Sequence, residues 1–134
     1  LTLCAVFWLS TCSRVPANIR TIVEHRAGQH KVIKWVSDQK AAKYMAVLSN
    51  GALIEIGKNG DWQQTSSPII QNHLPSAVFS TIQQYLKNGF EADSFLIIED
   101  PIYGKYYEID ITSDHQYIIL SIDTSGKVFK KDFF

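Results

Sequence analysis

The sequence predicts an α+β fold, a tandem duplication of a unit made of one helix and four antiparallel strands. Three observations predict it. An aliphatic-proline pair occurs at Val15-Pro16 and again at Leu74-Pro75, about sixty residues on. A glycine closes each helical stripe, at Gly28 and Gly89. After each glycine come alternating apolar and polar runs, broken by Asn50-Gly51 and Asn59-Gly60 in the first series and by Ser113-Asp114 and Ser125-Gly126 in the second.

Proline suits the start of a helix, because its φ is fixed near the helical value and its missing N–H would have had no partner there. Behind Pro16, Ile19, Ile22 and Val23 form a helical stripe; behind Pro75, Val78, Phe79, Ile82, Tyr85 and Leu86 form a fuller one. The glycines that follow suit left-handed C-terminal caps. The first series then reads as strands over 31–36, 43–49, 51–56 and 61–64, and the second as strands over 93–99, 105–112, 116–123 and 127–131. Asn-Gly favours tight hairpins because both residues tolerate positive φ. Thr65 to His73 has the Ser, Pro and Asn content of a connector. A copy of about sixty residues buries little core, so one continuous sheet, or two sheets side by side, is expected rather than independent domains.

The first residues differ in kind. Leu1 to Leu9 is an uncharged apolar run, the length of a signal-peptide h-region and too short to span a bilayer. It leads into Leu9-Ser10-Thr11-Cys12, which looks like a lipobox with Cys12 as the lipid attachment candidate and sole membrane tether. The expectation is a truncated signal and lipobox region over 1–13, then one domain over 14–134 with repeats at about 15–64 and 74–131. The competing reading of Leu1 to Leu9 is a buried first strand or helix. Both cysteines, Cys4 and Cys12, lie in this leader, so the body has no disulfide and no cysteine-based zinc site.

Of the 134 residues, 46% are hydrophobic and 19% charged, with 13 Lys plus Arg against 13 Asp plus Glu. The balance lacks the basic surplus of a nucleic-acid binder. No catalytic signature is present: His25, His30, His73 and His115 fall on different elements, and no nucleophile elbow or phosphate loop occurs. No cofactor or metal is implied. Glu99-Asp100 before Pro101 reads as a solvated turn.

Period-two alternation turns Tyr107, Ile109 and Ile111 inward, and Tyr106, Glu108 and Asp110 outward. On the next strand Ile118, Leu120 and Ile122 turn inward, and Tyr117 and Ile119 outward. Tyr106, Glu108, Asp110 and Tyr117 are therefore the protein-binding candidates, an aromatic and acidic composition favoured in interface centres. Trp62 and Met45 are possible additions; Trp35 and Tyr44 read as core.

The Val-Pro and Leu-Pro helix starts, Trp35 on the first strand, the strand opened by Tyr44 and the Gly60-Asp61-Trp62 turn together resemble the PepSY-like, β-lactamase-inhibitor-like family of exported bacterial proteins, over about 14–129. The resemblance implies helices packed on one face of the sheet and a concave opposite face that can grip an enzyme. It also implies a periplasmic, outer-membrane-anchored or secreted protein that binds or restrains an exported enzyme such as a peptidase. Inhibition of a β-lactamase does not follow from the fold. The leading expectation is a non-catalytic exported binding module with a protein partner. The runner-up is a small-ligand carrier with a cavity between helices and sheet, and the third reading is a hydrolase.

Overall fold

A computed structural model describes residues 15–134. The leader, with Cys4 and the lipid attachment candidate Cys12, lies outside the described residues. Helix α1 (Ala17–Ala27) is followed by β1 (Val32–Asp38), β2 (Lys43–Leu48), β3 (Leu53–Gly57) and β4 (Trp62–Pro68). A 3-10 turn (Gln71–His73) then leads to α2 (Ser76–Leu86), β5 (Glu91–Asp100), β6 (Gly104–Thr112), β7 (Tyr117–Asp123) and β8 (Val128–Phe133). The chain divides into two compact units at Thr65–Ser66.

The expected tandem duplication of a helix plus four-stranded unit is corrected. The strands hydrogen-bond in sequence order, β1 through β8, in one eight-stranded sheet accompanied by two α-helices, so the described chain is mostly sheet. The segments also differ in build. β5 and β6 have 10 and 9 residues where β1 and β2 have 7 and 6. Proline starts, glycine stops and x-Gly turns are the local chemistry that any helix followed by hairpins requires. Their recurrence marks where the chain turns and does not count repeats. The expected connector is likewise mostly structured: β4 runs on to Pro68, and the 3-10 turn covers Gln71–His73.

In the first unit, Ile19, Val23 and Ala27 of α1 pack on Tyr44, Ala46 and Leu48 of β2 and on Ile54 and Ile56 of β3. Trp35 and Trp62 border this core, each partly buried. In the second unit, Val78 and Ile82 of α2 pack on Tyr107, Ile109 and Ile111 of β6 and on Ile118, Leu120 and Ile122 of β7. These side chains seat each helix on the middle strands of its unit. Each fully buried isoleucine contributes about 1.5–3 kcal/mol of transfer free energy, an upper bound because the unfolded chain is itself partly compact.

α2 ends in a Schellman arrangement: Phe90 N–H donates to the Tyr85 carbonyl (3.2 Å), Gly89 N–H to the Leu86 carbonyl (3.4 Å), and Gly89 has φ 87°. The Tyr85 and Phe90 rings meet edge to face at 5.9 Å, closing the motif. The β7–β8 turn docks on the other end of the helix. Asp123 Oδ1 accepts from Ser125 N–H, Ser125 Oγ–H and Lys127 N–H at 2.9, 2.6 and 3.0 Å. Gly126, at φ 91°, lies so close to α2 that an added Cβ would sit 2.5 Å from the Ala77 carbonyl oxygen. Thr81 Oγ donates to the Gly126 carbonyl.

This contact separates two glycines that share a backbone conformation. A Cβ on Gly89 would meet nothing within 4 Å. Gly89→Ala is expected to lose about 1 kcal/mol from backbone strain alone. Gly126→Ala is expected to lose about 2–4 kcal/mol, because the turn must also lift from the helix. Urea unfolding midpoints of the two variants check the difference, and equal losses would contradict the docking contact.

Candidate functional site

Cross-strand registers define the outward face of the second unit. Leu96, Glu108, Ser121 and Lys130 form one row across β5 to β8, and Ser94, Asp110, Ile119 and Asp132 form the next. Residues paired in this way share a face. Glu108, Asp110 and Asp132 are half-buried, with Lys130 exposed beside them. Burial raises the Glu108 carboxyl above its ordinary value of 4.5, and the charge of Asp110 raises it further. Lys130 pulls it back down, and Asp132 adds to the rise.

The structure places the candidates as follows. Tyr117, 38% exposed, donates its hydroxyl to Asp110 Oδ2 at 2.7 Å and meets Phe134 edge to face at 5.4 Å. Tyr106 shares this face but is only 9% exposed, enclosed by Tyr103 and Phe129 with ring centroids 6.1 and 5.2 Å away. Burial, followed by the charges of Asp100 and Glu108, pushes its hydroxyl up to about 12. Tyr106 and Tyr117 do not adjoin. Tyr117 pairs with Thr112, six residues along β6 from Tyr106 and so about 20 Å away. Two aromatic poles thus flank a carboxylate row.

Trp62 does not join the outward face. It lies against the α1 core with the Arg26 guanidinium 3.8 Å from its ring centroid, and its indole N–H donates to Thr65 Oγ at 2.9 Å. Met45 is half-buried on the outward face of the first unit, between Val36 and Glu55. Nearby, Lys43 and Glu55 form an ion pair.

The most exposed apolar group of the second unit escaped the sequence reading. At the tip between β5 and β6, Ile102 is 81% and Tyr103 61% exposed. Asp100 Oδ1 closes the turn, accepting from the N–H groups of Ile102 and Tyr103 at 2.8 and 2.6 Å. The Tyr103 ring rests on Phe129 at 5.1 Å. The signal in the sequence was Asp100-Pro101 and Gly104 bracketing two large apolar residues, a turn that exposes what it carries. Phe129 had no signal. It reaches this face because β8 bulges, Ser121 pairing with Lys130 and Ile122 with Val128.

Chemically the face can bind and steer, through two aromatic ends and a half-buried acidic centre. Among the described residues, no group of three His, Cys, Asp or Glu side chains could hold a metal ion, and no helix is long and apolar enough to cross a membrane.

Residues 42–130 match the family model described as "Putative beta-lactamase-inhibitor-like, PepSY-like". The fold is shared with a BLIP-like protein from Bacteroides fragilis (TM-score 0.77, 20% identity, 88% of this chain and 85% of that one). It is shared as well with a DUF2874 family protein from Bacteroides ovatus (TM-score 0.75, 17% identity, 88% and 86%). A structure from Bacteroides eggerthii named among "putative periplasmic proteins" superposes with TM-score 0.74 at 14% identity over 89% and 88%. No curated protein matches the chain.

The raised Glu108 carboxyl makes stability depend on pH. The folded state holds this proton more tightly than the unfolded state does. The group therefore favours folding in acid, and that contribution is lost as pH climbs from 4.5 through the raised value. Glu108→Gln is expected to be more stable than the parent at pH 7, with the gain vanishing below about pH 4. Thermal midpoints at the two pH values check it; a variant less stable at pH 7 would show that the pull of Lys130 dominates.

Proposed function

Since the chain belongs to the PepSY-like, β-lactamase-inhibitor-like family, we infer that it is a non-catalytic module that binds another protein through the outward face of its second unit. The observation that carries this reading is the exposed pair Ile102 and Tyr103, held on a turn closed by Asp100 and backed by Phe129. Large side chains that are already ordered lose little entropy on binding, which is what an interface anchor requires. Glu108 and Asp110 add a negative centre that would steer a partner carrying basic groups. Tyr117 supplies a second anchor at the far pole. Tyr106 acts beneath the surface as the support for Tyr103.

The partner in this reading is an exported enzyme such as a peptidase, with the chain as its inhibitor or accessory factor. Export is supported by the apolar leader before Cys12 and by the periplasmic name of the Bacteroides eggerthii structure. Within the family, the description as inhibitor-like favours binding over turnover. The face itself offers carboxylates and phenols; His25, His30 and His73 lie on other elements, and His115 lies in the β6–β7 turn.

The test starts from a partner captured by cross-linking in an envelope fraction and then purified. Tyr103→Ala and Tyr117→Ala are each expected to weaken its binding by about 1–4 kcal/mol in titration calorimetry, with the fold intact by circular dichroism. Glu108→Gln is expected to slow association mainly at low salt. Unchanged affinity in the Tyr103 and Tyr117 variants would refute the proposed surface, and substrate turnover by the pure chain would refute the non-catalytic reading.

A further inference from the structure

Strand β1 carries a pattern that nothing in the second unit explains. Among the described residues it pairs with β2 alone, so its other side is an open edge. The direction of its backbone groups follows from the ladder. Leu48 N–H donates to the Ala52 carbonyl, which turns alternate residues Leu48, Ala46 and Tyr44 of β2 toward β3. Val47, Met45 and Lys43 therefore bond to β1, where they face Lys34, Val36 and Asp38. The bond from Ser49 N–H to the Lys31 carbonyl fits the same alternation. The N–H and C=O groups of Trp35 and Ser37 are left pointing away from the sheet.

An edge of this kind invites another strand, and proteins ordinarily repel one by placing like charge along it. Here the charges are of opposite sign and symmetrically placed. Lys34 and Asp38 stand two residues either side of Val36 on the outward face. Lys34 makes no ion pair among the described residues, and Asp38 accepts only the Ala41 N–H of the adjoining turn, at 3.0 Å.

We propose that β1 is a self-complementary docking edge, pairing antiparallel with β1 of a second copy of this chain about a two-fold axis at Val36. That register sets Trp35 opposite Ser37 of the second copy, twice, so that the outward backbone groups bond to one another. It sets Lys34 opposite Asp38 of the second copy, also twice, at the closer non-hydrogen-bonded spacing where side chains interact best. Val36 meets its own symmetry mate there. Because Val36 pairs with Met45 across β1 and β2, the two-fold joins the half-buried Val36 and Met45 of both copies into one apolar strip. Shifting the axis to Trp35 puts Lys34 opposite Val36, and shifting it to Ser37 puts Lys34 opposite Lys40. Only the Val36 register pairs every charge. A contact one strand wide buries less than a permanent interface does, so the dimer is concentration- and salt-dependent.

Sedimentation of the full chain over a dilution series at low salt tests the proposal. The parent is expected to approach twice the monomer mass at high concentration and to dissociate on dilution or with added salt. Lys34→Asp, which removes no contact within the fold, is expected to weaken association at least about tenfold. The double variant Lys34→Asp with Asp38→Lys is expected to restore the dimer, and so is an equimolar mixture of the two single variants. Circular dichroism verifies that each variant is folded. A parent that stays monomeric throughout the series would overturn the proposal. A dimer indifferent to Lys34→Asp, or a folded double variant that fails to reassociate, would do the same.

Discussion

Burying a row of branched aliphatic side chains under a helix is the constraint from which the second unit follows. Ile109, Ile111, Leu120 and Ile122 are fully buried beneath Val78 and Ile82 of α2. With side chains alternating along each strand, that burial leaves Glu108, Asp110, Ile119 and Ser121 no choice but the opposite face. A one-residue slip of β6 would drive two carboxylates into the core, so the register that protects the isoleucines also assembles the acidic row. The docking of Gly126 on Ala77 fixes the end of that register, tying the last hairpin to the start of the helix.

The outward face carries an electrostatic conflict that packing alone does not require. Glu108, Asp110 and Asp132 share half-buried positions with Lys130 as the cation beside them, and the Glu108 carboxyl is raised as a result. Carboxylates held together in this way favour the arrival of positive charge, because a basic group on a partner relieves a repulsion already present. Stability and recognition thus pull on the same residue in opposite directions. Among the described residues, each unit also has one internal ion pair. In the first, Lys43 pairs with Glu55, and Gln64 donates to the other oxygen of Glu55 at 3.2 Å. In the second, Lys130 pairs with Asp132 at 3.5 Å, which leaves Glu108 and Asp110 without a cation of their own.

How much of this was legible depended on how local its cause was. Strict alternation exposed the facing of β6 and β7, and Pro16, Pro75 and Gly89 marked helix ends because their backbone chemistry is local. Tyr106 could be assigned its face but not its burial, since Tyr103 and Phe129 cover it only after a turn and a bulge bring them there. Trp62, a possible addition to that face on sequence grounds, could not be given its place for a similar reason. Its surroundings are set by Arg26, on a helix distant in sequence. The repeat was not legible, because punctuation that serves every helix and hairpin recurs whether or not a unit is duplicated. Ile102 and Tyr103 carry no alternation signal, because a turn and not a strand exposes them.

The turn at Asp100 separates geometry from identity. One carboxylate oxygen holds two backbone N–H groups, and Gly104 completes the reversal at φ 70°. The conformation is therefore specified by Asp100 and Gly104, neither of which is the exposed apolar pair. Positions 102 and 103 can be rewritten while the β5–β6 ladder keeps its length and aim. Such a tip is an interchangeable bit on a fixed shank. Chains built on this scaffold can diverge in what they grip through two codons, provided that position 103 still covers Tyr106 and Phe129.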